Sequence, residues 1–351
     1  MRTVSWNAEK QEVILIDQRR LPGRFEVVGY RDARELATAI REMVVRGAPA
    51  IGVTAAYGLA LAAVYSLAAD MDGLRADVES AAAVLRASRP TAVNLFWAIE
   101  RMLVYMRAPA TSVDELRLRL LDEAQRMADE DIEINRRMAL NGAALIDDGD
   151  TVIHHCNTGS LAAVDWGTAL GCIRMAHEQG KRVHVLVDET RPRLQGARLT
   201  AWELSQYGIP YDIISDNSAG YFLRSGQAHK VFFGSDRVAA NGDLANKVGS
   251  YMLALAAHDN EVPVYAVMPS STIDLSLASG DLIPIEERDA DEVLNMQIAG
   301  ERAAPEGATA RNPAFDVTPN RLITALVTEK GVVYPPFKNH LPRVLGSQEG
   351  S

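Results

Sequence analysis

Cysteine is nearly absent: the 351-residue chain has two, Cys156 and Cys172. That number excludes a disulfide-built scaffold and a cysteine-only zinc site, and it suits a reducing cytoplasm. Positive charge is also in short supply. Lys and Arg total 36 against 46 Asp and Glu, for a net charge of -10. Nucleic acid and anionic membrane surfaces, which need clustered cations, are therefore excluded as main partners. A single basic pocket for one small anion is not. No G-x-G-x-x-G follows a strand and no Walker-type loop is present, so a dinucleotide is not expected. No His and carboxylate spacing makes a metal box, and we expect no metal. The opening residues lack the apolar core of a signal peptide.

Hydrophobic residues are abundant, at 48%. The longest uncharged run, "APAIGVTAAYGLALAAVYSLAA" from Ala48 to Ala69, is long enough to span a bilayer. Its Ala and Gly content instead predicts a buried central helix that neighbouring backbones approach closely. Short strands are expected at residues 12–16 and 25–28, separated by the turn signal "LPG". Helical spacing follows in "DARELATAIREMVV" and "NLFWAIERMLVYM", and Ser112 with Glu115 fits a capping box. Residues 1–145 therefore read as a mainly helical domain with a small β start.

From Asp150 the period changes. "TVIHHC", "VHVLVDE", "YDIISD", "KVFFGSD" and "VPVYAVM" are short apolar runs rich in β-branched residues. Helical segments separate most of them, among them "LANKVGSYMLALAAH". This predicts α/β architecture over residues 146–351, with a parallel sheet covered on both faces. Ligands of such sheets sit beyond the carboxyl ends of the strands. Cys156, Asp188, Glu189, Asp216 and Asp236 all fall at or just past those ends. Residues 285–318 read as a long irregular loop folding over the site.

Position alone leaves Cys156 open between a thiolate favoured by the amides of the following turn and an inert packing residue. Cys172 reads as packing. Asp236 leaves its strand into a Gly- and Asn-rich loop and is free for proton transfer if Asp243 caps the next helix. Asn246 and Lys247 would then open that helix, where a lysine suits an anionic ligand. Arg46 and Gly47 before Pro49, and Arg89 before Pro90, have the same character of guanidinium beside helix start. The arginines of "DETRPRLQGARLT" surround Gln195 and read equally as a surface network. His154 and His155 read as structural, on opposite faces of a strand.

Together, "VVRGAPAIG", "HHCNTGSLA", "DETRPRLQGARLTAWEL", "GSDRVAANGDLANKVGSYMLA" and "NPAFDVTP" resemble the methylthioribose-1-phosphate isomerase family. That family shares a superfamily with the regulatory subunits of initiation factor 2B. The resemblance runs from about Val45 to Pro336. It implies a Rossmann-like C-terminal domain behind a helical N-terminal one, and a cytoplasmic homodimer. The implied activity is cofactor-free conversion of 5-methylthioribose 1-phosphate to 5-methylthioribulose 1-phosphate in methionine salvage. The family's catalytic cysteine falls on Cys156 and its aspartate proton donor on Asp236. Its substrate contacts fall on Arg46, Gly47, Ala48, Arg89, Gln195, Asn246 and Lys247. Many relatives have Ala where this chain has Thr158 and Ser160, a difference expected to touch the pocket for the 5-substituent.

The implied substrate is an aldose locked as a ring by the phosphate on its anomeric oxygen. The C1–O4 bond must break and a hydrogen must move from C2 to C1. An acid near the ring oxygen and a group managing the C2 hydrogen are required, with proton and hydride transfer both open. Competing readings are an isomerase of 5-deoxyribose 1-phosphate or ribose 1,5-bisphosphate, and a non-catalytic regulatory subunit.

Overall fold

A computed structural model describes residues 1–89 and 92–346. It resolves into two compact units. One comprises Met1–Asn135 with Gly159–Gly167, the other Arg136–Thr158 with Thr168 onward. These limits differ from a single cut after residue 145.

The first unit opens on an antiparallel sheet of β1 (Val4–Asn7), β2 (Glu12–Ile16) and β3 (Val27–Tyr30). The expected strand at 25–28 is thus shifted towards Tyr30, and β1 adds a strand that its short length hid. Helices α1 (Ala33–Arg41), α2 (Ala48–Tyr65), α3 (Met71–Ser88), α4 (Val93–Arg107) and α5 (Val113–Ala143) follow. Asp32 caps α1 by accepting the Arg34 N–H at 2.6 Å, and α1 stops short of Val45 because Met43 turns left-handed (φ 60°). At α5 the Ser112 hydroxyl accepts the Glu115 N–H, but the Glu115 carboxylate returns to Thr111, so only half of the capping box forms.

Helix α2 explains its own composition. A methyl at Gly52 would stand 3.0 Å from the Asn94 carbonyl of α4, and one at Gly58 2.9 Å from Leu85 of α3. Small residues let both helices close onto α2. By length and composition α2 passes as a membrane span, yet 72% of it is buried within the protein.

The second unit holds strands β4 (Thr151–His154), β5 (His184–Asp188), β6 (Tyr211–Ile214), β7 (Lys230–Gly234), β8 (Arg237–Ala239), β9 (Leu244–Lys247) and β10 (Val264–Val267). They continue as β11 (Ile273–Asp274), β12 (Gln297–Ile298), β13 (Glu301–Arg302), β14 (Phe315–Thr318), β15 (Ala325–Thr328) and β16 (Gly331–Val333). Its helices are α6 (Ala169–Glu178), α7 (Ala201–Tyr207), α8 (Ala219–Arg224), α9 (Ser250–Asp259), α10 (Asp291–Leu294) and α11 (Phe337–Gly346). The main sheet runs β16-β15-β10-β7-β4-β5-β6, parallel except for β16. A second sheet, β11-β8-β9-β14, follows from two departures. Leu244–Lys247 is a strand where a helix start was expected. Phe315–Thr318, expected as loop, pairs with it antiparallel in full register.

Candidate active site

From β4 the chain builds outward through β5 and β6, then returns to lay β7 on the other side of β4. The strand order reverses between β4 and β7, and crevices at such reversals hold ligands. His154 of β4 stands beside Phe232 of β7 in a parallel register. Cys156 and Asp236 therefore leave neighbouring strands at the same carboxyl end, on either side of the switch point.

Cys156 is buried and left-handed (φ 67°), a conformation that costs a non-glycine residue roughly 1–2 kcal/mol. Both of its peptide groups are held. Its N–H donates to the Thr190 hydroxyl at 2.9 Å, and its carbonyl accepts from the Thr200 hydroxyl at 2.7 Å. Thr190 is itself left-handed (φ 62°). The two Asp216 carboxylate oxygens fix it, accepting the N–H groups of Thr190 and Arg191 at 2.7 Å each. Thr200 ends a π-helical turn, Gly196–Thr200, that leads into α7. A methyl at Gly196 would lie 1.8 Å from the Asp188 carbonyl oxygen, so only glycine permits that turn. Asn157 extends the frame, donating to Thr200 and to the fully buried Glu203.

His155, just past β4, is buried. Its Nε2 faces the Val248 carbonyl at 3.0 Å and its Nδ1 faces Asp188 at 2.8 Å. A carbonyl only accepts, so Nε2 carries a hydrogen. Burial opposes charge on the imidazole, but Asp188 outweighs it and holds the histidine pKa above its ordinary value. Burial likewise lifts Asp188. The pair shares one proton. His155, Asp188 and Asp216 place potential ligand atoms within 4.8 Å of one another, a gathering hidden by their separation along the chain. The contacts just described already engage the ligating atoms of His155 and Asp216. His154 is different. Burial drives its pKa down to about 3, and its Nε2 meets the Thr158 hydroxyl. That hydroxyl also accepts the Leu170 N–H, and the Thr158 methyl group occupies the space a side chain at Gly234 would need. Thr158 is therefore engaged inside its own unit.

Asp236 is exposed, and its N–H donates to Ala245 of β9 at 2.9 Å. This brings it alongside Asn246 and Lys247, although those two lie in a strand and not in the first turn of a helix. The helix-dipole argument for Lys247 thus fails. Its ammonium donates to the Ala314 carbonyl at 2.7 Å and lies 4.6 Å from the centre of the Phe315 ring. Asn246 is buried and donates to Ser250. Asp243 is not a helix cap either. It accepts from Gly280, Asn241 and Asn320, tying three loops together. The start of α9 is served by Asp316, whose carboxylate accepts the N–H groups of Gly249 and Tyr251. The anion expected at this helix start is a side chain of the chain itself. Gln195 is buried, with its Oε1 unpartnered among the described residues.

In the first unit, Arg46, Gly47 and Ala48 are half-buried where α2 begins. Gly47 has φ 94°, and a methyl there would meet the Ala162 carbonyl oxygen at 2.2 Å. Arg89 is half-buried at the end of α3. Pro90, the second half of that expected feature, lies outside the described residues.

The initiation factor 2 subunit family matches residues 44–335. The chain is 50% identical to methylthioribose-1-phosphate isomerase 2 of Pseudothermotoga lettingae, over 99% of each chain. Among solved structures, 5-methylthioribose 1-phosphate isomerase from Pyrococcus horikoshii OT3 superposes with a TM-score of 0.92 at 44% identity, covering 98% of this chain and 96% of that one. A protein from A. fulgidus described as translation initiation factor eIF-2B, subunit delta, superposes with a TM-score of 0.90 at 43% identity, over 99% of each.

Proposed function

We propose a function from one premise: the chain belongs to the initiation factor 2 subunit family. Within it the chain is an aldose–ketose isomerase that converts 5-methylthioribose 1-phosphate to 5-methylthioribulose 1-phosphate in methionine salvage. Near-full-length identity of about half to isomerases of that name supports this. The structural observation that carries it is that Cys156 and Asp236 follow the adjacent strands β4 and β7 at the switch point. A regulatory subunit needs neither a left-handed cysteine nor a carboxylate at those two strand ends.

Asp236, exposed at the strand end, protonates the ring oxygen as the C1–O4 bond breaks. Cys156 manages the hydrogen that leaves C2 for C1, while the C2 hydroxyl gives up its proton as the ketone forms, which restores the acid spent on the ring oxygen. Gln195, Asn246 and Lys247 of the second unit contact the substrate, and Lys247 holds its phosphate. No cofactor is required. The protein works in the cytoplasm as a homodimer formed through the second unit. The α9 face supports this, with Met252 and Leu255 exposed and Tyr221 exposed on α8, which packs against α9. Light scattering at micromolar concentration then gives twice the chain mass, and a monomeric mass removes this part of the reading.

The activity is tested by a substrate panel of methylthioribose, 5-deoxyribose and ribose 1-phosphates, together with ribose 1,5-bisphosphate. The methylthio substrate gives the highest kcat/KM, unchanged after exhaustive chelation. Preference for another member, or no turnover of any, rejects the assignment.

A further inference from the structure

We infer that Thr190 and Thr200 are positioning residues for the reaction, acting through the backbone of Cys156. The inference rests on the assignment of Cys156 to the chemistry. A left-handed cysteine persists only where its surroundings over-determine it. Here one hydroxyl takes the Cys156 N–H and another supplies a hydrogen to its carbonyl, at 2.9 and 2.7 Å. All three residues are buried, so water does not substitute for either contact. Each hydroxyl also has a second bond that fixes its direction. Thr190 donates to the Asp188 carbonyl at 3.0 Å, which leaves its lone pairs for the cysteine amide. Thr200 accepts from Asn157 at 3.1 Å, which leaves its hydrogen for the cysteine carbonyl.

The supports come from separate elements. Thr190 follows β5 and is set by Asp216 from the end of β6. Thr200 is delivered by the π-helical turn that Gly196 makes possible. π-turns of this kind recur at functional sites. If either hydroxyl is lost, a buried peptide group loses its partner and the backbone is free to relax towards an ordinary conformation. The thiol then moves relative to the substrate, and a displacement of about 1 Å costs on the order of 10²-fold in rate.

The test uses the full-length protein with 5-methylthioribose 1-phosphate. Thr190→Val and Thr200→Val keep the branched shape and remove the hydroxyl. Each is expected to lower kcat by about 10²-fold while KM stays within about threefold. Thr190→Ser and Thr200→Ser put the hydroxyl back and rescue most of the loss. A purely structural role predicts otherwise: lower melting temperature for the valine variants, with kcat of the folded fraction unchanged. That outcome, alongside an inactive Cys156→Ala, overturns the inference and leaves the assignment of Cys156 intact. An active Cys156→Ala overturns both. Should the valine variants not fold, amide hydrogen exchange at Cys156 in the unmodified protein decides. Strong protection is expected, and exchange at the rate of an open peptide overturns the clamp.

Discussion

Cys156 and Cys172 lie 16 residues apart, in the same unit, and both are buried. Almost everything else differs. Cys172 sits inside α6 with helical backbone and a fully covered side chain. Its thiol faces the carbonyls of Thr168 and Met138, and burial holds its pKa far above the ordinary thiol range. A methyl at Gly142 of α5 would meet its sulfur at 2.2 Å, so the side chain is fitted to a neighbour's missing one. Cys156 stands past the end of a strand in a left-handed conformation, its peptide groups clamped by two threonines from different elements. Burial therefore does not separate the two cysteines. Backbone conformation, and the number of elements recruited to hold it, does.

The largest effect that sharpens this contrast is at Asp236, the proposed acid. Asp236→Asn should lower kcat by about 10²–10⁴-fold, as loss of a general acid does, without changing thermal stability by much. Asp236 is exposed, so a matching loss of stability would mean a structural role instead. Next comes chemical reactivity. Native protein treated with iodoacetamide should be modified at Cys156 alone, and at Cys172 only after unfolding, as peptide mass mapping reads directly. Early labelling of Cys172 would break the comparison.

A stability effect follows. Gly142→Ala should cost about 1–3 kcal/mol by overpacking against Cys172. In a Gly142→Ala, Cys172→Ala double variant part of that cost should disappear, because the sulfur is gone while the Cβ of residue 172, 2.8 Å from the added methyl, remains. Additive losses in denaturant unfolding would show that the two residues do not share a space. The smallest effect is Cys172→Ala itself. About 1 kcal/mol of stability is lost, and kcat is unchanged.

The same contrast shows what the sequence discloses. Short apolar runs between helical patterns located β4, β5, β6, β7 and β10 of the parallel sheet but not β15, since buried strands and helices differ in length and composition. Strand ends, read with the ligand rule for α/β sheets, put forward Cys156, Asp188, Glu189, Asp216 and Asp236 together; the roles of Cys156 and Asp236 came from the family resemblance. The left-handed backbone at Cys156 was not legible, because Cys has no preference for it and the cause is distant: Thr190 and Thr200 lie 34 and 44 residues away. The segment at Leu244–Lys247 was misjudged because its apolar pattern merges with α9. The partner that makes it a strand, Phe315–Thr318, is 68 to 74 residues further on, in what read as loop. For the same reason Asp243 looked like a cap. The acid that serves the α9 start is Asp316, which no local signal connects to Gly249. Lys247 kept its place beside Asp236 for a different reason from the one its position suggested.

The account depends most directly on the thiol of Cys156. Conversion of 5-methylthioribose 1-phosphate by the unmodified protein, Cys156→Ala and Cys172→Ala can be followed side by side by phosphorus NMR. The account predicts that the ketose phosphate appears at equal rates with the unmodified protein and Cys172→Ala, and that the aldose phosphate signal persists with Cys156→Ala. Comparable conversion by Cys156→Ala would contradict it.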